Sequence, residues 1–420
     1  MPDIEMDALK ELQETIHSAS GRIIRLLSRD TLERGRPGYT IENNRIVALC
    51  LRDCGLDSIP ARLGQLSRLR KLDLSGNRLS VLPETLENLA GLQKLDLDEN
   101  RLTALPAWIG SLTGLETLNC TANRLAAVPQ ELGQLAGLKE LNLRGNHLSA
   151  LPESFWQLSS LQVLSLGENP FSVLSERIGD LKNLRRLYIH SMQLANLPAS
   201  LGNLPQLSVL DLGHNQLAAL PESLGNLRAL TFLYLSNNRL TSLPDTLWDL
   251  AGLVYLNVTD NQLTSLPERI GDLANLQELR LYNNQLAGLP ESLGNLTNLK
   301  ELHLMNNRLV ALPASTGRLA GLKKLALMDN RLASLPESLG QLAGLRFLDL
   351  RNNRLTALPD SIGRLSSLTE LDLRANHLAY LPPAIAALPN LEKLDLRWNK
   401  LSSVPAWLQN MQMRGCTVFI

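Results

Sequence analysis

The sequence predicts an α/β solenoid, in which short strands stack into one parallel sheet on a concave face. Short helical or 3-10 turns line the convex face, and an α-helical cap precedes the stack. Three observations predict it. Asparagine recurs every 23 residues from Asn77 to Asn169 and from Asn215 to Asn399, with one double step of 46 that passes over Met192. The same apolar frame surrounds each one, as in Leu69-x-x-Leu72-x-Leu74-x-x-Asn77-x-Leu79-x-x-Leu82-Pro83-x-x-Leu86-x-x-Leu89. Proline follows the ladder position by six residues in fifteen units, from Pro60 to Pro405, and Ser175 replaces it once. Carried back to Ile46, the register defines sixteen units over residues 46–411, and a fixed period of this length marks a repeat array.

The elements follow in chain order. Residues 1–45 are assigned to a helical N-terminal cap. Leu9, Leu12, Ile16, Ile23, Ile24 and Leu27 fall at helical spacing within residues 4–32, acidic residues first and arginines later. That pattern predicts one or two helices covering the edge of the first strand. Asn43-Asn44 predicts a tight turn into residues 45–49. In each unit the L-x-L core alternates with period two, so Leu72 and Leu74 point inward while Asp73 and Ser75 point out. The ladder Asn turns inward to pair buried backbone groups of the turn. Segments such as residues 222–227 read as short helical or 3-10 turns, because Gly225 comes too early for a long helix. Residues 412–420 leave the frame and predict a closing edge strand. No unit can bury its own leucines, so the core exists only through stacking.

This frame resembles the leucine-rich repeat, in the 23-residue L-P-x-x-L-G form of Ras-pathway scaffolds, plant Ras-group proteins and Roco-family proteins. The resemblance covers residues 46–411. It implies a right-handed horseshoe that binds a protein or peptide on its concave face, without an attached catalytic domain.

Composition bounds the remaining classes. The 420 residues carry 41 basic and 41 acidic side chains, and zero net charge argues against a nucleic-acid partner. The four cysteines, Cys50, Cys54, Cys120 and Cys416, form no CxxC pair, which points to thiols in a reducing compartment. Cys54 and Cys120 occupy frame positions, whereas Cys50 falls on an outward strand position where a reactive thiol is conceivable. The first residues are acidic and no apolar run reaches membrane-spanning length. A cytoplasmic chain, monomeric when unbound and away from membranes, is expected. No phosphate-binding glycine loop occurs, so no cofactor and no enzymatic activity are expected.

Function is sought at the positions the frame leaves free, six, four, two and one residues before each ladder position. Aromatics are scarce, at 4% of the chain, yet Tyr188, Phe232, Tyr234, Tyr255 and Tyr282 gather at these positions in five adjacent units, where composition alone would place fewer than one. His190, His214, Arg280, His303 and Met305 lie in or beside the same stretch. Exposed Tyr, Arg, His and Met on a rigid sheet have the composition of an interaction hot spot, although cross-strand stacking would also favour aromatics there. The unit from Phe171 to Met192 breaks the frame, marking either a functional place or a tolerated drift. His190 and His214 fall on successive strands, but without a Cys or carboxylate cluster they are weak evidence for zinc, and no metal is expected. Asp349, Asp372 and Asp395 with Arg351, Arg374 and Arg397 read as a sideways salt-bridge ladder or as an arginine row that reads acidic groups. The expected function is a non-catalytic protein- or peptide-binding module, an intracellular scaffold or adaptor in signalling. The alternative is a secreted bacterial effector that binds a host protein.

Overall fold

Stacking of like frames produces a repeated path in which each repeat but the last contributes one strand, one left-handed turn and one 3-10 helix. The computed structural model describes residues 2–28 and 35–420. The chain divides into two units, Met1–Asp211 and Leu212–Ile420. The first begins with helix α1 (Asp3–Ser20), then β1 (Arg25–Leu26), β2 (Gly38–Glu42) and β3 (Arg45–Cys50). The repeat strands follow as β4 (Lys71–Asp73), β5 (Lys94–Asp96), β6 (Thr117–Asn119), β7 (Glu140–Asn142), β8 (Val163–Ser165), β9 (Arg186–Tyr188) and β10 (Val209–Asp211). The second unit holds β11 (Phe232–Tyr234), β12 (Tyr255–Asn257), β13 (Glu278–Arg280), β14 (Glu301–His303), β15 (Lys324–Ala326), β16 (Phe347–Asp349), β17 (Glu370–Asp372) and β18 (Lys393–Asp395). It closes with helix α2 (Trp407–Met413) and β19 (Thr417–Phe419).

Within each unit successive repeat strands pair in parallel and in register, as Leu72 with Leu95 and Leu256 with Leu279. The central leucine of each strand is buried. Return segments are five-residue 3-10 helices, for example Glu222–Asn226 after Pro221. The strands are shorter than the alternating pattern suggests. Ser75, expected outside, is buried, and its hydroxyl donates to Asp73 Oδ1 at 2.6 Å. The residue just before each ladder position is left-handed in every unit, from Asp53 (φ 53°) to Trp398 (φ 62°). That conformation explains the Asn, Asp and Gly so common there.

Gly225 shows how closely successive turns approach one another. A Cβ there would lie 2.4 Å from the Thr246 carbonyl oxygen of the next turn. We expect Gly225→Ala to cost about 1–3 kcal/mol, the overpacking range, read as a lower midpoint in urea; an unchanged midpoint would mean that the turns are not in close contact. Where Trp248 takes the equivalent position it is fully buried, and the turn that follows packs less closely against it. Gln409 replaces the glycine in the last unit, and there the turn lengthens into α2.

The N-terminal segment departs from the helical pattern read over residues 4–32. Helix α1 stops at Gly21, which is left-handed (φ 68°), and Arg25 and Leu26 form a strand parallel to β2. The end of that helical reading, residues 29–32, lies outside the described residues. Glu5 is buried and anchors α1 to the first repeat strand, accepting from Ile46 N and from Arg45 Nη1, both at 3.1 Å. Asn43 and Asn44 are both left-handed and turn β2 into antiparallel β3, as a two-residue hairpin requires. Cys50 is buried with Leu27 packed over its cluster. Burial, aided by Asp73, pushes its thiol up to about 12, so the reactive thiol conceivable from sequence is an inert one. Among the described residues, no helix is long and apolar enough to cross a membrane.

Candidate strand-face binding site

The ladder that holds the strand face rigid is made of side-chain amides. Asn261 Nδ2 donates to the carbonyls of Leu235 (2.9 Å), Val258 (3.2 Å) and Thr259 (3.0 Å), while its Oδ1 accepts from Leu240 N at 3.0 Å. Equivalent bonds recur at Asn77, Asn100, Asn123 and beyond. At Met192 no amide is present, and the frame re-forms around it. Phe171 and Met192 are buried, and Phe171 N donates to Asn169 O at 2.9 Å where its counterparts donate to the ladder Asn. Ser175 Oγ caps the following 3-10 helix by accepting from Arg177 N. The irregular unit is thus internally compensated.

On this frame the second unit gathers most of the aromatic side chains singled out above. Phe232 and Tyr255 are registered across β11 and β12, with ring centroids 6.2 Å apart. Tyr234 and Tyr255 lie closer, at 4.9 Å. The Arg280 guanidinium stands 5.6 Å from the Tyr255 ring, within cation–π range. Tyr255 is therefore the hub, touched by two rings and a cation. Phe232 is 38% exposed, and Tyr234, Tyr255, Arg280, Tyr282 and Met305 are half-buried. Burial pushes the Tyr255 phenol above its ordinary value, against the pull of Arg280. Burial opposes the charge on Arg280, yet Glu278 and the neighbouring tyrosines raise its pKa overall.

The other candidates are placed differently. Tyr188 and His190 belong to the first unit, where His190 Nδ1 lies 3.2 Å from Ser191 Oγ. His214 is exposed on a left-handed turn and bonds to Asn237 Nδ2 at 2.8 Å. His303 is buried, with Nε2 2.9 Å from Glu301 Oε2. Beside it, Glu278 and Glu301 continue the column of Phe232 and Tyr255, six residues before their ladder positions, so the 23-residue period alone aligns the two carboxylates.

Beyond this cluster each arginine of the C-terminal row grips the aspartate of its own strand. Arg374 donates to Asp372 with bonds of 2.6 and 2.9 Å, and Arg397 to Asp395 with bonds of 2.6 and 3.0 Å. Sideways reach is secondary, at 3.5 Å from Arg351 to Asp372 and 3.4 Å from Arg374 to Asp395. The row pairs along the strand first and across it second.

Comparison with known proteins agrees with this architecture. A family model described as a leucine-rich repeat region matches residues 45–146, 128–216, 199–305, 245–342 and 333–413. The chain is similar to the solved structure of a leucine-rich repeat protein of Leptospira interrogans, at 34% identity and TM-score 0.77, over 89% of this chain and 95% of that one. It is also similar to the Arabidopsis receptor kinase HAESA, solved with the peptide hormone IDA and a co-receptor, at 26% identity and TM-score 0.68 over 91% and 75% of the chains. Drosophila Toll, solved with Spätzle, is 26% identical with TM-score 0.75 over 86% and 51%. No curated protein sequence matches. The 23-residue frame, the asparagine ladder and a family match running from residue 45 to residue 413 lead to one conclusion: this chain belongs to the leucine-rich repeat family.

Proposed function

We propose that this chain is a non-catalytic module that binds a protein or peptide on its strand face, through the cluster centred on Tyr255. The observation that carries the reading is the gathering of Phe232, Tyr234 and Arg280 around Tyr255 on an otherwise aromatic-poor chain. Tyr supplies large contact area with little conformational freedom to lose, and Tyr and Arg are both enriched in binding hot spots. The related structures solved with a peptide hormone and with Spätzle support a polypeptide ligand. Four buried cysteines, none in a disulfide, support a reducing, cytoplasmic setting and a role as a scaffold or adaptor in signalling, the chain being monomeric when unbound.

Cross-linking mass spectrometry in the source cell identifies the partner and the face together. Replacing Tyr234 and Tyr255 by Ala is then expected to weaken that partner's binding at least about tenfold, with the far-UV spectrum unchanged. Undiminished binding by the double variant would place the site elsewhere. The similarity to a bacterial protein at 34% identity favours, as a second reading, an exported bacterial effector that binds a host protein. Recovery of the chain from culture medium rather than from the cell fraction would decide for it.

A further inference from the structure

The column that carries Phe232 and Tyr255 turns acidic on the next two strands. We propose that Glu278, Glu301 and His303 form a binding site for a divalent transition-metal ion, with Zn²⁺ the ion their donors fit best. One donor atom from each of the three side chains lies within 4.8 Å of the others. Strand pairing fixes this placement: Glu278 and Glu301 are directly registered across β13 and β14, and His303 follows Glu301 by two residues on the same face. Donors on paired strands are held more firmly than donors on loops. His303 Nε2 and Glu301 Oε2 are 2.9 Å apart, so this pair has to open by about half an ångström to reach the roughly 3.3–3.6 Å between two ligands on one tetrahedral ion with bonds of about 2.0–2.2 Å.

The electrostatics suit a cation. His303 is buried, with its Nε2 against the Glu301 carboxylate. Coordination through Nε2 places the ring proton on Nδ1 and exchanges the bond to Glu301 for two bonds to the ion. Two carboxylates balance the two charges of the metal. Two cations border the site. Lys324 is registered opposite Glu301 but sets its ammonium 5.5 Å from the Phe347 ring centroid. Arg280 Nε donates to Glu278 Oε1 at 2.5 Å, so Arg280 competes with the ion for that carboxylate. This inference is independent of what the aromatic cluster binds.

The test is calorimetric titration of the full chain with Zn²⁺ in chelator-free buffer. One equivalent is expected to bind, with X-ray absorption showing one imidazole among oxygen and nitrogen donors at about 2.0–2.2 Å. Glu278→Gln and His303→Asn are each expected to weaken binding at least about tenfold. Arg280→Gln is expected to bind at least as tightly as the parent chain, because the competing guanidinium is gone. No uptake by the parent chain overturns the site, as does uptake of equal affinity in Glu278→Gln. Should the buried His303→Asn fail to fold, the half-buried Glu278→Gln decides between these outcomes.

Discussion

Asn261→Ala is expected to destabilise the chain by about 3–5 kcal/mol, because it strands several buried backbone groups at once. The Leu240 N–H loses its acceptor and the Leu235, Val258 and Thr259 carbonyls lose a donor. The amide itself is nearly inaccessible, at 7% exposure, so water cannot replace those partners without opening the stack. Asn261→Met is expected to cost about as much, although Met is the native residue at position 192. The Met192 unit survives because Phe171 N has turned to Asn169 O, whereas Leu240, Phe171's counterpart at Asn261, keeps its N–H on the ladder amide. Urea unfolding of the two variants checks this. Losses below about 1 kcal/mol would show that the ladder amide is dispensable.

The second large effect is one of pH. Asp98 titrates at about 6, raised chiefly by burial and then by the neighbouring Asp96 charge, against the hydrogen bond from Thr121 N. An unfolded aspartate titrates near 3.8. Between those values the folded chain binds the extra proton, so this group's stabilising contribution is present in full below pH 4 and is lost as pH rises through 6. The loss is about 2–3 kcal/mol, given about 1.4 kcal/mol per pKa unit and some solvent screening. Asp98→Asn keeps an oxygen for Thr121 N and removes the charge. It is expected to be more stable than the parent by that amount at pH 7, and nearly equal to it at pH 4. Urea midpoints across that range decide the matter, and a gap between the two chains that does not change with pH would sink the account.

Much of this molecule was legible in the one-dimensional pattern. The 23-residue period placed every repeat strand and every 3-10 turn, since both depend on local spacing of Leu, Asn, Pro and Gly. The Asn43-Asn44 hairpin was legible for the same reason. Burial of Ser75 and the left-handed residue before each ladder position were not, because alternation has no term for where a strand stops. Residues 25–26 pair as a strand although their spacing is helical, because a neighbouring edge outweighs weak local propensity.

The candidate site divides along the same line. Composition showed that Phe232, Tyr234, Tyr255 and Tyr282 were unusual, because aromatics are rare in a leucine core. The contacts of Phe232 and Tyr234 with Tyr255, and the approach of Arg280 to its ring, depended on stacking of β11 to β13. His303 looked like one more exposed polar residue and is instead buried against Glu301. The sequence alone determined the architecture, because each repeat obeys one short-range rule many times over. Only the tertiary structure decided which side chains from different repeats meet, because residues 23 apart become neighbours through register alone, and the orientation of each side chain then follows from the charges and rings beside it.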